Sequence, residues 1–150
     1  MFDILAYLVD AYRDLDACPP PDALMKRLSA AGFEEDEVRD ALEWLQGLSS
    51  ARHADVLAPQ TGLRCYDADE SAHLSPECRG LLHFLEKEGA IDAASRELVI
   101  DRLMALPVDE VTTSTTKLVV LTVLWSLCAE PDLLVFDMLL DTVDDDPTLQ

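Results

Sequence analysis

The chain has 150 residues, 49% of them hydrophobic, so it is long enough and apolar enough to bury a core. Its 30 acidic and 11 basic residues give a formal net charge of −19. Proteins that bind nucleic acid directly neutralise its phosphates with Lys and Arg, so this balance argues against direct DNA or RNA binding. A basic protein partner stays open, and so does a negative charge that serves only solubility.

Cysteine usage and the apolar runs predict a cytoplasmic protein. The four cysteines have no CxxC spacing, and no signal peptide precedes them, which favours a reducing compartment and buried thiols. The longest apolar run, 118–128, is about 11 residues long, whereas a membrane span needs roughly 20. We therefore expect no membrane segment and interpret this run as a buried core helix.

Three helices are predicted in the first 52 residues. Apolar spacing predicts the first over 3–15. Pro21 suits the first position of the second helix, which Gly32 ends. The third is predicted over 35–50, and the second and third together resemble a helix-turn-helix.

The third helix is too acidic for a DNA-reading role. It begins with Glu34, Glu35, Asp36 and Glu37, and Arg39 is the one cation nearby. In a DNA-binding helix-turn-helix this helix supplies base and phosphate contacts, which these carboxylates oppose. The acids instead favour the helix dipole, a structural role. They are also a candidate surface for a basic protein partner.

The middle of the chain predicts an extended connector. Residues 49–71 lack helical periodicity, and their one ordered candidate is a strand over 63–66 that pairs with 56–57 as a small ribbon. We predict a single domain over 1–150. Its parts are a three-helix lobe over 1–52, a connector over 53–72, a helical lobe over 73–143 and an acidic tail over 144–150.

Caps and breakers mark two helices after the connector. Ser75 caps a helix that Pro76 opens, and Gly89 ends it. Asp92 caps the next helix, which Pro107 terminates. These signals describe architecture and carry no chemistry.

A sixth and a seventh helix complete the predicted fold. Ser114 or Thr115 is expected to cap the apolar sixth helix, which places Leu121, Leu124 and Trp125 deep in the core. The last helix, over 132–143, is apolar around most of its circumference, so it either packs inside or docks on a partner. The candidate contact residues for another protein or a second copy of the chain are Phe136, Met138 and Leu139.

No catalytic, cofactor-binding or metal site is predicted. Cys65, His73, Cys78 and His83 are close in sequence, but their spacing matches no zinc template. Cys78 also fits the apolar stripe of its helix. The histidines adjoin no recognisable nucleophile motif, and the sequence has no glycine-rich phosphate loop.

Three segments carry a resemblance to a known family. They are MFDILAYLVDAY, AGFEEDEVRDALEWLQGL and LSPECRGLLHFLEKEGAIDAASRELVIDRLMAL. Together with Arg64-Cys65-Tyr66 they resemble the Smg family of small cytoplasmic proteobacterial proteins, over nearly the whole chain. The resemblance implies no catalytic residues, because none are assigned to that family. It implies a link to DNA processing only through neighbouring genes.

These observations predict an all-α protein of about seven helices in two lobes, without a cofactor. Its expected function is non-catalytic and works through contacts with other proteins. The alternative is an accessory factor in DNA or RNA metabolism that binds a basic protein or presents an acidic, nucleic-acid-like face. An enzyme with clustered carboxylates is a third hypothesis.

Overall fold

The computed structural model describes residues 1–53, 65–127 and 137. Over these residues the chain is helical and contains no strand. Two 3₁₀ turns, Leu15–Ala17 and Val108–Glu110, lie between the α-helices. The helices are α1 (Phe2–Ala11), α2 (Pro21–Ala30), α3 (Glu35–His53), α4 (Ala68–His73), α5 (Pro76–Lys87), α6 (Ala93–Met104) and α7 (Thr113–Ser126).

Several predicted helix boundaries are confirmed. Helix α2 begins at Pro21, and Gly32 follows its end with a φ of 104°, a conformation that glycine adopts without steric cost. Ser75 caps α5 by accepting a hydrogen bond from the N–H of Cys78. Asp92 caps α6, and the backbone N–H and hydroxyl of Ser95 hold the pKa of its carboxyl below the usual value.

Two boundaries differ from the prediction. The first helix ends at Ala11, because the chain then turns and the side chain of Asp14 caps the separate 3₁₀ turn. Helix α7 is capped by Thr112, whose hydroxyl accepts from the N–H of Thr115, and not by Ser114 or Thr115. All of these hydroxyl residues are capable caps, and the extended backbone at Thr112 selects it.

A helix, α4, lies within the predicted connector. Asp67 and Glu70 form a reciprocal capping box at its start, with hydrogen bonds of 2.8 and 3.2 Å. No residue of α4 is buried, so the helix leaves no apolar period to detect. Cys65 and Tyr66 are not in a strand, and the rest of the predicted ribbon lies outside the described residues. The same is true of nearly all of the predicted last helix and of the tail.

Helix α7 is the centre of the core and packs against α1, α5 and α6. Every residue from 118 to 126 is buried, including the three predicted core residues: Leu121 is 4%, Leu124 3% and Trp125 7% exposed. The indole N–H of Trp125 donates to the carbonyl of Tyr12 at 2.9 Å, which joins α7 to the end of α1. The deep burial predicted for this helix is confirmed.

Helix α3 joins the two halves of the described chain. It packs against α1, α2 and α6. The indole N–H of Trp44 donates to the carbonyl of Arg102, and the Arg102 guanidinium donates back to the carbonyl of Trp44. Since α1 and α3 share one hydrophobic core with α5, α6 and α7, the two predicted lobes are not confirmed. Among the described helices, none has the length and apolar composition to cross a membrane.

Candidate docking groove beside an acidic helix

A groove of about 550 Å³ lies between α2, α3 and the segment 15–21 that leads into α2. This volume is in the range of pockets that bind ligands, and such pockets combine apolar walls with a few polar groups. Most of the lining is apolar: Leu15, Cys18, Pro19, Pro20, Pro21, Leu24, Met25, Leu42 and Leu45. The polar lining residues are Asp16, Arg39, Glu43, Gln46 and Ser49.

One wall of the groove is an extended proline segment. Cys18 has φ −69° and ψ 143°, and Pro20 has φ −53° and ψ 153°, values close to polyproline II. Pro21 then starts α2. Because proline rings fix φ, this wall is already ordered before any ligand binds, which lowers the entropic cost of binding.

The floor and sides of the groove come from the facing surfaces of α2 and α3. Leu24 and Leu45 are buried and close the floor. Met25 and Leu42 are half-buried and present apolar surface to the groove. The unbranched, polarisable side chain of methionine adapts to ligands of different shapes.

The groove is poorly suited to nucleophilic chemistry. Its thiol, Cys18, donates a hydrogen bond to the carbonyl of Asp14 at 3.7 Å. Burial, together with the negative charges of Asp14 and Asp16, raises the pKa of Cys18 to about 11. The thiol is therefore protonated near neutral pH, whereas nucleophilic attack requires the thiolate. The described lining contains no histidine that could serve as a base.

The surroundings of the groove are strongly acidic. Nine acidic and three basic residues occur between positions 14 and 46. The predicted surface residues Glu34, Glu35 and Glu37 are all exposed at the start of α3, next to the exposed Asp36. A partner that approaches this face therefore meets a negative potential.

Ion pairs connect the acidic start of α3 to the groove. The guanidinium of Arg39, a lining residue, lies 3.7 Å from the Glu35 carboxylate and 3.4 Å from that of Asp36. Across the groove, Asp16 lies 3.4 Å from Arg52 and keeps most of its side chain exposed. Glu35 and Asp36 therefore offset the positive charge of Arg39.

The cysteines and histidines considered for zinc do not come together. Cys78 is fully buried and accepts a hydrogen bond from the Thr116 hydroxyl at 3.2 Å. The His73 ring bonds to the carbonyl of Leu103, while His83 is exposed. In the described part of the chain, no group of three or more Cys, His, Asp or Glu residues is arranged to hold a metal ion.

The sequence did not predict the groove, and the structure does not describe three of the predicted contact residues. Phe136, Met138 and Leu139 lie outside the described residues. In the sequence, the triple proline Pro19 to Pro21 marks the end of the connection between the first two helices, and Pro21 marks the start of the second. The combination of the triple proline with the capped turn before it is the one local signal for a preformed wall.

Comparison with known proteins identifies the family. Residues 1–148 match the family described as "Protein of unknown function (DUF494)". The chain is 44% identical to a "Protein Smg homolog" of Azoarcus sp. (strain BH72) over 97% of this chain and 96% of that protein. The chain belongs to the Smg (DUF494) family. The resemblance predicted from the sequence is confirmed.

Other Smg homologues are equally similar over their full length. That of Chromobacterium violaceum is 42% identical over 100% of both chains. That of Bordetella petrii is 47% identical over 94% of this chain and 95% of its own. No solved structure matches the chain. The Smg family is one of unknown function, so membership assigns no activity to the groove.

Proposed function

We propose that this Smg-family protein is non-catalytic and acts by binding another protein, one with a basic surface, on the face formed by α2 and α3. The observation that carries the proposal is that Arg39, a lining residue of the groove, pairs with Glu35 and Asp36 at the acidic start of α3. Apolar surface supplies binding energy, and charge supplies steering and partner choice. The groove supplies the apolar surface, and the start of α3 supplies the charge.

Charge determines the class of partner. With a formal net charge of −19 the protein repels phosphate backbones and other acidic surfaces. A basic protein surface is attracted over a distance of about a Debye length, roughly 8 Å at physiological salt. Direct binding of nucleic acid does not fit this face.

The chemistry of the groove supports a binding role. Catalysis needs a group whose protonation state suits attack or proton transfer near neutral pH. Cys18 has the opposite property, since its raised pKa keeps the thiol neutral. The groove offers shape, apolar area and charge, which are the means of recognition.

A second candidate follows from the geometry of α2 and α3. They are joined by a tight turn at Gly32, as in a helix-turn-helix, but acids stand at the start of the second helix. Such a face competes with DNA or RNA for a basic protein. The protein is then an accessory factor in nucleic-acid metabolism that never touches nucleic acid itself.

The end of the chain provides a further contact candidate. Phe136, Met138 and Leu139 are apolar residues of a sequence that is apolar around most of a helical circumference. They are proposed as a second contact surface, for the partner or for another copy of the chain. Changing Met138 and Leu139 to Glu tests it, because loss of binding with unchanged circular dichroism and melting temperature supports a surface role.

The experiment is partner capture from native lysate with chemical crosslinking and mass spectrometry. The test variant is Glu34→Lys, Glu35→Lys, Glu37→Lys. The control is Glu77→Lys, Glu88→Lys, Asp109→Lys, which changes net charge equally at exposed positions on α5, its C-terminal cap and the second 3₁₀ turn.

Three results discriminate. A basic protein lost from the test variant but retained by the control supports the proposal. Equal loss from both variants contradicts a specific α2–α3 face. Displacement of the captured protein by added duplex DNA favours the accessory factor over a general adaptor.

A further inference from the structure

We propose that the groove between α2, α3 and the segment 15–21 seats one apolar side chain of the partner, in a short segment where Lys or Arg flanks that side chain. This inference rests on the proposed function and names the partner's recognition element. A protein interface concentrates its binding energy in a few anchor residues that fill pockets. The groove is a pocket of the size that such anchors use.

The apolar specificity comes from the floor and the proline wall. Half-buried Met25 and Leu42 lose their remaining contact with water when an apolar side chain enters. Pro19 and Pro20 also line the groove and add apolar surface. A polar anchor gives up bonds to water against these apolar residues, which disfavours it.

The basic flanks follow from the edges of the groove. Asp16 and Glu43 line it from opposite elements, the 3₁₀ turn and α3. Arg39 pairs with Glu35 and Asp36, and Asp16 pairs with Arg52 while its side chain stays 74% exposed. Lys or Arg on either side of the anchor meets a carboxylate, whereas Asp or Glu meets repulsion.

The other occupants fit the charges less well. A second copy of this chain brings another formal charge of −19 to an acidic face. Nucleic acid brings phosphates to the same face. The neutral thiol of Cys18 neither attracts nor modifies a ligand at neutral pH. A basic segment of a partner protein is the occupant that the charges favour.

The test uses the full chain and a defined peptide array. Each seven-residue peptide has a central residue varied over all twenty amino acids and three identical residues on each side. The flanks are Lys in one set, Ser in the second and Glu in the third. We expect Lys-flanked peptides with Leu, Met, Phe or Trp at the centre to bind at least tenfold more tightly than those with Ser or Asp, and than all Glu-flanked peptides.

Two neighbouring serines provide matched variants. Ser49 lines the groove, and Ser50 is exposed on the same helix outside the lining. Ser49→Trp fills the groove and is expected to weaken the best Lys-flanked peptide at least tenfold. Ser50→Trp is expected to leave its affinity within about twofold. Circular dichroism and melting temperature verify that both variants are folded.

A spectroscopic measurement keeps the inference testable if Ser49→Trp does not fold. In the unmodified protein, the best peptide is expected to shift the NMR methyl signal of Met25, which lies in the groove. It is not expected to shift that of Met104, at the end of α6. Shifts of Met104 with an unmoved Met25 overturn the inference.

Different results contradict the role of the groove as an anchor site and the proposed function. If Lys-flanked peptides bind with the same affinity whatever their central residue, the groove does not seat an anchor side chain. That result does not contradict an acidic protein-binding face. The same holds if a partner is captured through Glu34, Glu35 and Glu37 but Ser49→Trp does not affect it. Capture that survives the Glu-to-Lys variant overturns the proposed function, whatever the peptides show.

Discussion

Helix α7, with 14 residues, and helix α3, with 19, have different roles in the protein. In α7 every residue from 118 to 126 is buried, so the requirement to fill the core restricts each position. In α3 one face is buried, with Val38 and Leu48 fully enclosed, and the other is exposed and acidic. Folding explains the first helix completely. It leaves the exposed face of the second free to carry binding.

The comparison predicts that mutations in the two helices have separable effects. Changes in α7 are expected to reduce stability and to affect binding only through unfolding. Changes on the exposed face of α3 are expected to alter binding with little loss of stability. Gly47 and the groove residues lie at the boundary between the two faces of α3.

The largest expected effect is that of Leu121→Ala in α7. Leu121 is 4% exposed, and truncation of a buried leucine typically costs about 2 to 5 kcal/mol. Leu42→Ala makes the same change at a half-buried position of α3 and is expected to cost clearly less. Chemical denaturation of both variants measures the difference. A loss below about 0.5 kcal/mol for Leu121→Ala contradicts the central position of α7.

The next largest effect is expected from Gly→Ala substitutions at two glycines in helix interiors, which change the stability in opposite directions. A Cβ at Gly80, in α5, meets open space, so Gly80→Ala is expected to stabilise the protein by about 0.5 to 1 kcal/mol. A Cβ at Gly47, in α3, overlaps the guanidinium of Arg102. That group donates to the carbonyl of Trp44 at 3.1 Å and lies 5.7 Å from its ring centre, so displacing it costs these contacts.

Gly47→Ala is therefore expected to destabilise the protein by about 1 kcal/mol, roughly the value of one lost hydrogen bond to a charged group after the gain in helix propensity. Thermal and chemical unfolding of the two variants in parallel provide the measurement. If both substitutions stabilise equally, α3 and α6 are not joined through Arg102 as described.

A smaller effect on stability is expected from the triple change Glu34→Gln, Glu35→Gln, Glu37→Gln. Acids near a helix N-terminus contribute about 0.3 to 1 kcal/mol each, and relief of mutual repulsion offsets part of that loss. The unfolding free energy is expected to fall by less than about 1 kcal/mol. Binding of Lys-flanked peptides is expected to weaken and to lose part of its salt dependence, since Asp16 and Glu43 remain in the groove lining. A large loss of stability with unchanged binding contradicts the assignment of binding to the exposed face of α3.

The smallest effect near neutral pH concerns Cys18, whose contribution to stability changes only at high pH. Its pKa of about 11 in the folded protein lies above the ordinary thiol value of 9.0, so the folded protein holds the proton more tightly than the unfolded chain. The contribution of Cys18 is complete below about pH 9 and is lost as pH rises to about 11. Cys18→Ser is expected to remove this part of the fall in unfolding free energy between about pH 9 and pH 11.

Alkylation reports the same pKa directly. Because only the thiolate reacts, the rate of iodoacetamide labelling at Cys18 is expected to rise about tenfold per pH unit and to be still rising at pH 10. Peptide mapping by mass spectrometry follows the modification at this residue alone. A plateau near pH 9 indicates an exposed thiol and contradicts the packing of the groove wall.

Much of the helical structure was predictable from the sequence because its signals are local. Pro21, Ser75 and Asp92 start their helices through contacts within the next four residues. The buried position of Leu121 followed from the apolar run around it. Helix α4 was missed because its capping box leads into a helix with no buried residue, and periodicity detects only helices that bury one face.

The sequence by itself determined the family, the acidic charge, the boundaries of most helices and the exposed acids at the start of α3. Only the tertiary structure decided that α2, α3 and the segment 15–21 enclose a groove. It also decided that burial and nearby acids keep Cys18 protonated, and that Arg102 lies against Gly47. Helix starts depend on neighbours along the chain, whereas cavity volume, desolvation and charge pairing depend on residues that meet only after folding.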